Sequence, residues 1–307
     1  MKKFLFLMLT FSITSTFAQK QQVWLDADTG NEMDDLYAIV RLVKEPSIQL
    51  LGLSSAHFNN ADLLVFEKWN AYPAKGLNTV AESQRLNKQI LKALNRSDIA
   101  HPLGADRQIG RAWGGHEARP SAASDAIIAA AKALPAGRQL HVITLGALTN
   151  IATAVMQAPE ILPRIRVFSL GAKYNPETKV WNKSEFNIRN DLNAFDYLLN
   201  LPGFDFTVMP LEAALPLQFG REDTYARLDE TRPIEKILED RWREQNPQDT
   251  KRTMWDLALV EAYLKPQLSS IRTATTPPEN KQRPVRVYVK IDEKALAEDF
   301  WQVLKAR

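Results

Sequence analysis

The sequence predicts an α/β fold: one domain built on a mostly parallel sheet flanked by helices on both faces. Three observations carry that prediction. Short β-branched runs alternate with segments whose apolar residues recur every three or four positions, the signature of strand then helix, repeated. The first strand runs directly into Asp26–Asp35, DADTGNEMDD, which places five carboxylates where open α/β sheets present their ligand sites. No internal repeat or low-complexity tract interrupts the pattern, and the densest proline stretches, Thr275 to Pro284 and Leu211 to Pro216, are too short to be linkers.

The elements follow in order. Val23 to Asp28 is a strand, and its period of two puts Asp26 and Asp28 on one face at the carboxyl end. Leu36 to Lys44 carries Leu36, Ile39, Val40 and Val43 at helical spacing, and Ile48 to Ser54 is a second buried strand. Ala61 to Ala71, Leu86 to Leu94 and the alanine-rich Ala122 to Leu134 are helices, the last with Ile127 and Ile128 facing inward. Leu140 to Leu145 is a strand, followed by a helix at Leu148 to Gln157. Arg166 to Leu170, Phe206 to Met209 and Val285 to Ile291 complete the strands. Asn193 to Asn200, Ile234 to Glu244, Thr253 to Tyr263 and Lys294 to Leu304 complete the helices.

Ahead of the first strand, Met1-Lys2-Lys3, an apolar run from Phe4 to Phe17 and a small residue at Ala18 have the form of a secretory signal peptide. Residues 1–18 are therefore expected to be removed, residues 19–307 to form the domain, and the product to be secreted or periplasmic. The run is too short and too rich in Ser and Thr for a membrane span, and no later stretch reaches 18 apolar residues. Loss of Lys2 and Lys3 lowers the formal charge from +3 to +1, which argues against nucleic-acid and membrane partners and for a small-molecule substrate. The chain has no cysteine, so its stability must come from its core, for which 45% hydrophobic residues suffice.

Carboxylates crowded within a few ångströms repel one another unless they are protonated or hold a cation. Glu32, Asp34 and Asp35 also suit the first turn of a helix, where negative charge complements the dipole. That reading does not account for the whole cluster. Four further segments place polar residues at predicted strand ends or helix starts. Leu50 to Asn60 ends in Asn59 and Asn60, and Leu145 to Asn150, LGALTN, ends in Thr149 and Asn150; both also fit ordinary turn and cap chemistry. Ser184 to Asp191, SEFNIRND, sets Glu185 and Asn187 on either side of Phe186. Met254 to Leu259 buries Asp256 in an apolar helix, where a lone charge needs a partner.

Together these segments resemble the nucleoside hydrolase family, inosine-uridine preferring type, in the same order and over most of the chain. The matching features are Asp26, Asp28, Gly30 and the pair Asp34 and Asp35; Asn59; Gly146 to Asn150; Glu185-Phe186-Asn187; and Asp256. The resemblance implies a nucleoside-hydrolase-like, Rossmann-like domain that binds Ca²⁺ through Asp28, both oxygens of Asp35, Asp256 and the Leu145 carbonyl. It also implies that Asp28 is the general base in cleavage of an N-glycosidic bond. Asp34, Asn59, Glu185, Asn187 and, by a looser alignment, Asn182 would bind the ribosyl hydroxyls, and Asp26 would orient its neighbours. Family members tend to form homo-oligomers.

The chain departs from the family twice. Two extra residues lie between Gly30 and the aspartate pair, bringing Asn31 or Glu32 within reach of the site. Trp255 stands before Asp256, where these enzymes commonly carry a histidine near the leaving base; stacking on a base and filling core both remain open for it. Of the four histidines, His116 in its glycine-rich segment is the one a loop would carry to the site, though a surface histidine is the simpler reading. Two alternatives accompany the hydrolase: a secreted calcium- and ribosyl-binding protein without catalysis, and an aspartate-nucleophile phosphatase, whose D-x-D-G-T opening differs from Asp26–Gly30 in its last two letters.

Overall fold

A computed structural model describes residues 20–59 and 76–306. The expected leader, Met1 to Ala18, and the expected helix Ala61 to Ala71 lie outside the described residues.

In chain order the elements are β1 (Gln21–Ala27), α1 (Asp34–Val43), β2 (Ile48–Ser55), α2 (Thr79–Ala93), α3 (Ala122–Ala133), β3 (Leu140–Thr144), α4 (Thr149–Gln157) and β4 (Ile165–Leu170). There follow β5 (Lys173–Asn175), β6 (Val180–Asn182), α5 (Phe186–Asn190), α6 (Leu192–Leu199), β7 (Asp205–Met209), α7 (Leu211–Ala214), β8 (Gln218–Gly220) and α8 (Arg221–Arg227). The chain ends with α9 (Pro233–Gln245), β9 (Lys251–Thr253), α10 (Trp255–Leu264), β10 (Ser269–Thr275), β11 (Pro284–Ile291) and α11 (Glu293–Lys305). The seven-stranded sheet has the order β10-β11-β7-β4-β3-β1-β2, parallel throughout except where β10 pairs antiparallel with β11. The mostly parallel α/β architecture is thus as expected. The small hairpin β5–β6, the antiparallel pair β8–β9 and the edge strand β10 are additions to the expected elements.

The strand period sorts the core into two layers. Val23 and Leu25 of β1, Ile143 of β3 and Phe168 of β4 face the layer containing α1, α10 and α11. Trp24, Val142 and Val167, one position out of phase, face the layer containing α3, α4 and α6. A sheet covered on both faces has strands apolar on both parities, which is why these runs read as nearly continuous hydrophobic stretches. Helix α1 is buried along all ten residues. It packs on α10 and α11 around Arg41, whose guanidinium donates to Glu261 at 2.8 Å, Asp299 at 2.6 Å and Glu45 at 2.8 Å. Among the described residues no helix is long and apolar enough to cross a membrane.

Candidate active site

Parallel strands end together, so β1, β3 and β4 deliver their carboxyl ends to one rim of the sheet. A cleft opens there, lined by Glu32 and Asp34 on the β1 side, Trp255 and Asp256 of α10, Leu145 and Leu170 beyond β3 and β4, and Lys173, Glu185 and Asn187.

Strand β1 stops at Ala27, and a turn closed by Asn31 N–H donating to the Asp28 carbonyl (2.8 Å) begins at once. Asp28 therefore leaves the pleat. Its side chain is buried against Gly146, where an added Cβ would stand 2.7 Å from the carboxyl carbon; glycine there is what lets the β3–α4 turn approach so closely. Asp26 stays inside the sheet, accepting from Ser54 Oγ and from Asn150 Nδ2 at 2.9 Å. Burial pushes its carboxyl up to about 7, against the downward pull of those two donors.

Asp34 and Asp35 open α1, and Asp256 sits in the first turn of α10. Carboxylate oxygens of the three lie within 4.8 Å of one another, all buried, a set able to hold a metal ion. The Asp34 carboxylate accepts from Asp256 N–H at 3.1 Å, which draws it into the trio. Asp28 stands outside that trio, but its Oδ2 and both oxygens of Asp35 are buried with no hydrogen-bond partner. Burial is the main force raising Asp28, Asp35 and Asp256 well above the ordinary carboxylate range, and the neighbouring carboxylates raise them further. Burial and then Glu32 bring Asp34 up to about 7. Orphaned buried oxygens on an all-oxygen donor set are what a hard divalent cation satisfies.

The opposite wall is built by α5. Glu185 caps it, accepting from Asn187 N–H and Ile188 N–H, both at 3.1 Å, and from Ala172 N–H at 3.2 Å. Asn187 is buried and donates through Nδ2 to the Leu145 carbonyl at 2.6 Å. A carbonyl oxygen has two lone pairs, so this bond leaves the other available to a cation. Asn182 is exposed on β6, its Oδ1 accepting from Ser184 N–H at 2.7 Å. Asn59 is exposed and donates to the Asp106 carbonyl at 2.9 Å. Neither belongs to the cleft lining among the described residues. Trp255 is half-buried, packs against the apolar core and presents part of its ring to the cleft. His116 lies in its loop with its ring 5.6 Å from that of Tyr197.

Two arginines that no sequence motif singles out answer the acidic cluster. Arg252 on β9 pairs with Glu32, so the extra residues before the aspartate pair are tied down across the cleft. Arg241 on α9 is buried, donates to the Gly30 carbonyl at 2.8 Å and counteracts the charge of Asp35. Behind the cleft His57 Nε2 meets Thr149 Oγ1 at 2.8 Å, and Thr149 Oγ1 donates to Asp191 at 2.6 Å, which makes Nε2 the protonated ring nitrogen. Burial pushes His57 down to about 4 and Asp191 up to about 6. Thr149 and Asp191 lie in segments singled out from the sequence, but nothing in their spacing points one to the other.

A family model described as inosine-uridine preferring nucleoside hydrolase matches residues 23–298. No curated protein matches the sequence. Among solved structures, a plant nucleoside hydrolase, the PpNRh1 enzyme, superposes with a TM-score of 0.71 at 18% identity, covering 94% of this chain and 100% of that one. The inosine-uridine preferring nucleoside hydrolase of Bacillus anthracis superposes at 0.66 with 16% identity, covering 93% and 99%. The type III effector XopQ, in a complex with adenosine diphosphate ribose, superposes at 0.65 with 12% identity, covering 93% and 92%. At these identities the structures share the fold.

Proposed function

The chain belongs to the inosine-uridine preferring nucleoside hydrolase family, and from that membership we propose that it hydrolyses the N-glycosidic bond of ribonucleosides in a calcium-dependent reaction. The observation that carries the proposal is the set of buried, mutually repelling carboxylates with orphaned oxygens at the sheet's carboxyl rim. Family membership leaves the phosphatase alternative without support.

Asp28, Asp35, Asp256 and the Leu145 carbonyl are the proposed ligands, with Asp34 drawn close to the set. A bound calcium ion would supply the positive charge that keeps these carboxylates ionised and orders a ribose diol. Asp28, ionised, accepts the proton of the attacking water as the water oxygen bonds to C1′ and the bond to the base nitrogen breaks. Positive charge develops on the ribosyl ring, and Glu185 and Asp34 lie on the cleft walls to stabilise it. Asn187 bonds sugar hydroxyls in the same wall, and Trp255 stacks on the leaving base. Export rests on the pattern of Met1 to Ala18.

The XopQ complex with adenosine diphosphate ribose favours one second reading, a ribosyl-binding protein without catalysis. Ribose release from a panel of purine and pyrimidine nucleosides, with and without chelator, separates the two. Calcium-dependent release that falls by roughly 100-fold or more in Asp28→Asn is expected for the hydrolase. Calcium binding with no release from any nucleoside would overturn it.

A further inference from the structure

Of the cations around the cleft, Arg252 is paired with Glu32 and Asp249, and Arg241 donates to the Gly30 carbonyl and answers the charge of Asp35. Lys183, beside the cleft, is spent on Asp196 and Glu279. Lys173 lines the cleft, is half-buried, and has no carboxylate within 4.0 Å among the described residues. Its place follows from the topology. Lys173 begins β5 directly after β4, and β4 lies two strands from β1 in the order β4-β3-β1. Two strand spacings, about 10 Å, separate β4 from β1 across the sheet. A 5′ substituent on a ribosyl ring held at Asp28 and Asp35 and directed towards β4 would cross that interval.

The hairpin supplies further donors. Lys173 and Asn182 are direct cross-strand partners, so their side chains share a face, while Tyr174 and Trp181 pack together on the other with ring centroids 4.7 Å apart. Asn182 Oδ1 is engaged by Ser184 N–H, which leaves its Nδ2 hydrogens turned away as donors, and Ser184 itself lines the cleft. An ammonium and a hydroxyl in the lining of an otherwise acidic cleft, with the exposed amide of Asn182 on the same hairpin face beside them, match an anionic oxygen group.

Resting on the N-glycosidase reading, we propose that this end of the cleft takes a 5′-phosphate, and that the preferred substrates are nucleoside 5′-monophosphates. Water adds its oxygen to C1′, the C1′–N bond breaks, the base leaves with a proton, and the phosphate ester passes unchanged into ribose 5-phosphate.

The test compares kcat/KM of the calcium-loaded protein for inosine 5′-monophosphate against inosine and for uridine 5′-monophosphate against uridine. A charge-assisted contact predicts a ratio of about ten or more, collapsing towards one in Lys173→Gln and restored in Lys173→Arg. Cleavage of the free nucleosides as well as or better than the monophosphates overturns the subsite and leaves the hydrolase reading standing. If nothing is cleaved, calorimetry of calcium-loaded Asp28→Asn with ribose 5-phosphate and with ribose decides separately. Tighter binding of the phosphate by about tenfold upholds the subsite although the catalytic reading has failed, and equal binding overturns it.

Discussion

Asp35 shows most directly what the site asks of a single side chain. It is buried, neither oxygen has a hydrogen-bond partner, and Asp34 and Asp256 crowd it within 4.8 Å. A cation that binds only the folded chain stabilises it by mass action, about 2.7 kcal/mol at a hundred times the dissociation constant. Calcium is therefore expected to raise the melting temperature of the wild type. Asp35→Asn removes one repelling charge, so its metal-free form is expected to melt higher than metal-free wild type and to gain little from calcium. Differential scanning fluorimetry with calcium and with chelator checks both halves.

Between elements, the join that most constrains the site is α1 against α10 and α11, because α1 carries Asp34 and Asp35 while α10 carries Asp256. Arg41 holds that join through three carboxylates, and its side chain is fully buried. Burial pushes Glu261 upward, and the Arg41 guanidinium is the strongest group pulling it back. Arg41→Met would strand Glu261 without a counter-charge, at a cost of about 3–5 kcal/mol by urea melts. The elements themselves were largely legible. Long β-branched runs and strongly periodic helices announce themselves, and the expected strand Ile48 to Ser54 differs from β2 by one residue. The hairpin strands were not, because three residues carry no period; nor was β10, whose Ser270 to Thr273 are all exposed and show no alternation. In the site, the aspartates were legible because five carboxylates within ten residues at a strand end repel one another too strongly to be ordinary surface charge. Arg241 and Arg252 were not. Their partners lie 211 and 220 residues away, and a charged residue on a helix such as α9 reads as solvent-facing until the tertiary structure turns it inward.

Across the whole molecule the two ends of the sheet carry different electrostatics. The carboxyl rim gathers acids. At the amino end Arg166 and Arg286 converge on Asp205, and His141 packs against Phe168 with the rings tilted by 58° and shares a hydrogen bond of 2.8 Å between its Nδ1 and Tyr263 Oη. Burial, then the charges of Arg166, Arg138 and Arg286, push His141 down to about 4. In the unfolded chain a histidine titrates near pH 6.5, so between about pH 6.5 and 4 the unfolded state binds the extra proton and stability falls as pH falls. Allowing for its partial exposure, the loss by pH 5 is about 1–2 kcal/mol. His141→Gln, which cannot titrate, is expected to be less stable than wild type at pH 7 and to show a smaller gap at pH 5, measured by urea melts at both values.

The 222 residues that separate Asp34 from Asp256 set a schedule on the ribosome. At about 5–20 residues per second, the aspartates of α1 emerge roughly 10–40 seconds before the helix that completes their cluster, and Arg241 and Arg252 arrive only shortly ahead of it. For that interval the nascent chain carries the acidic half of the site facing water, and no amino-terminal fragment ending before α10 can close it.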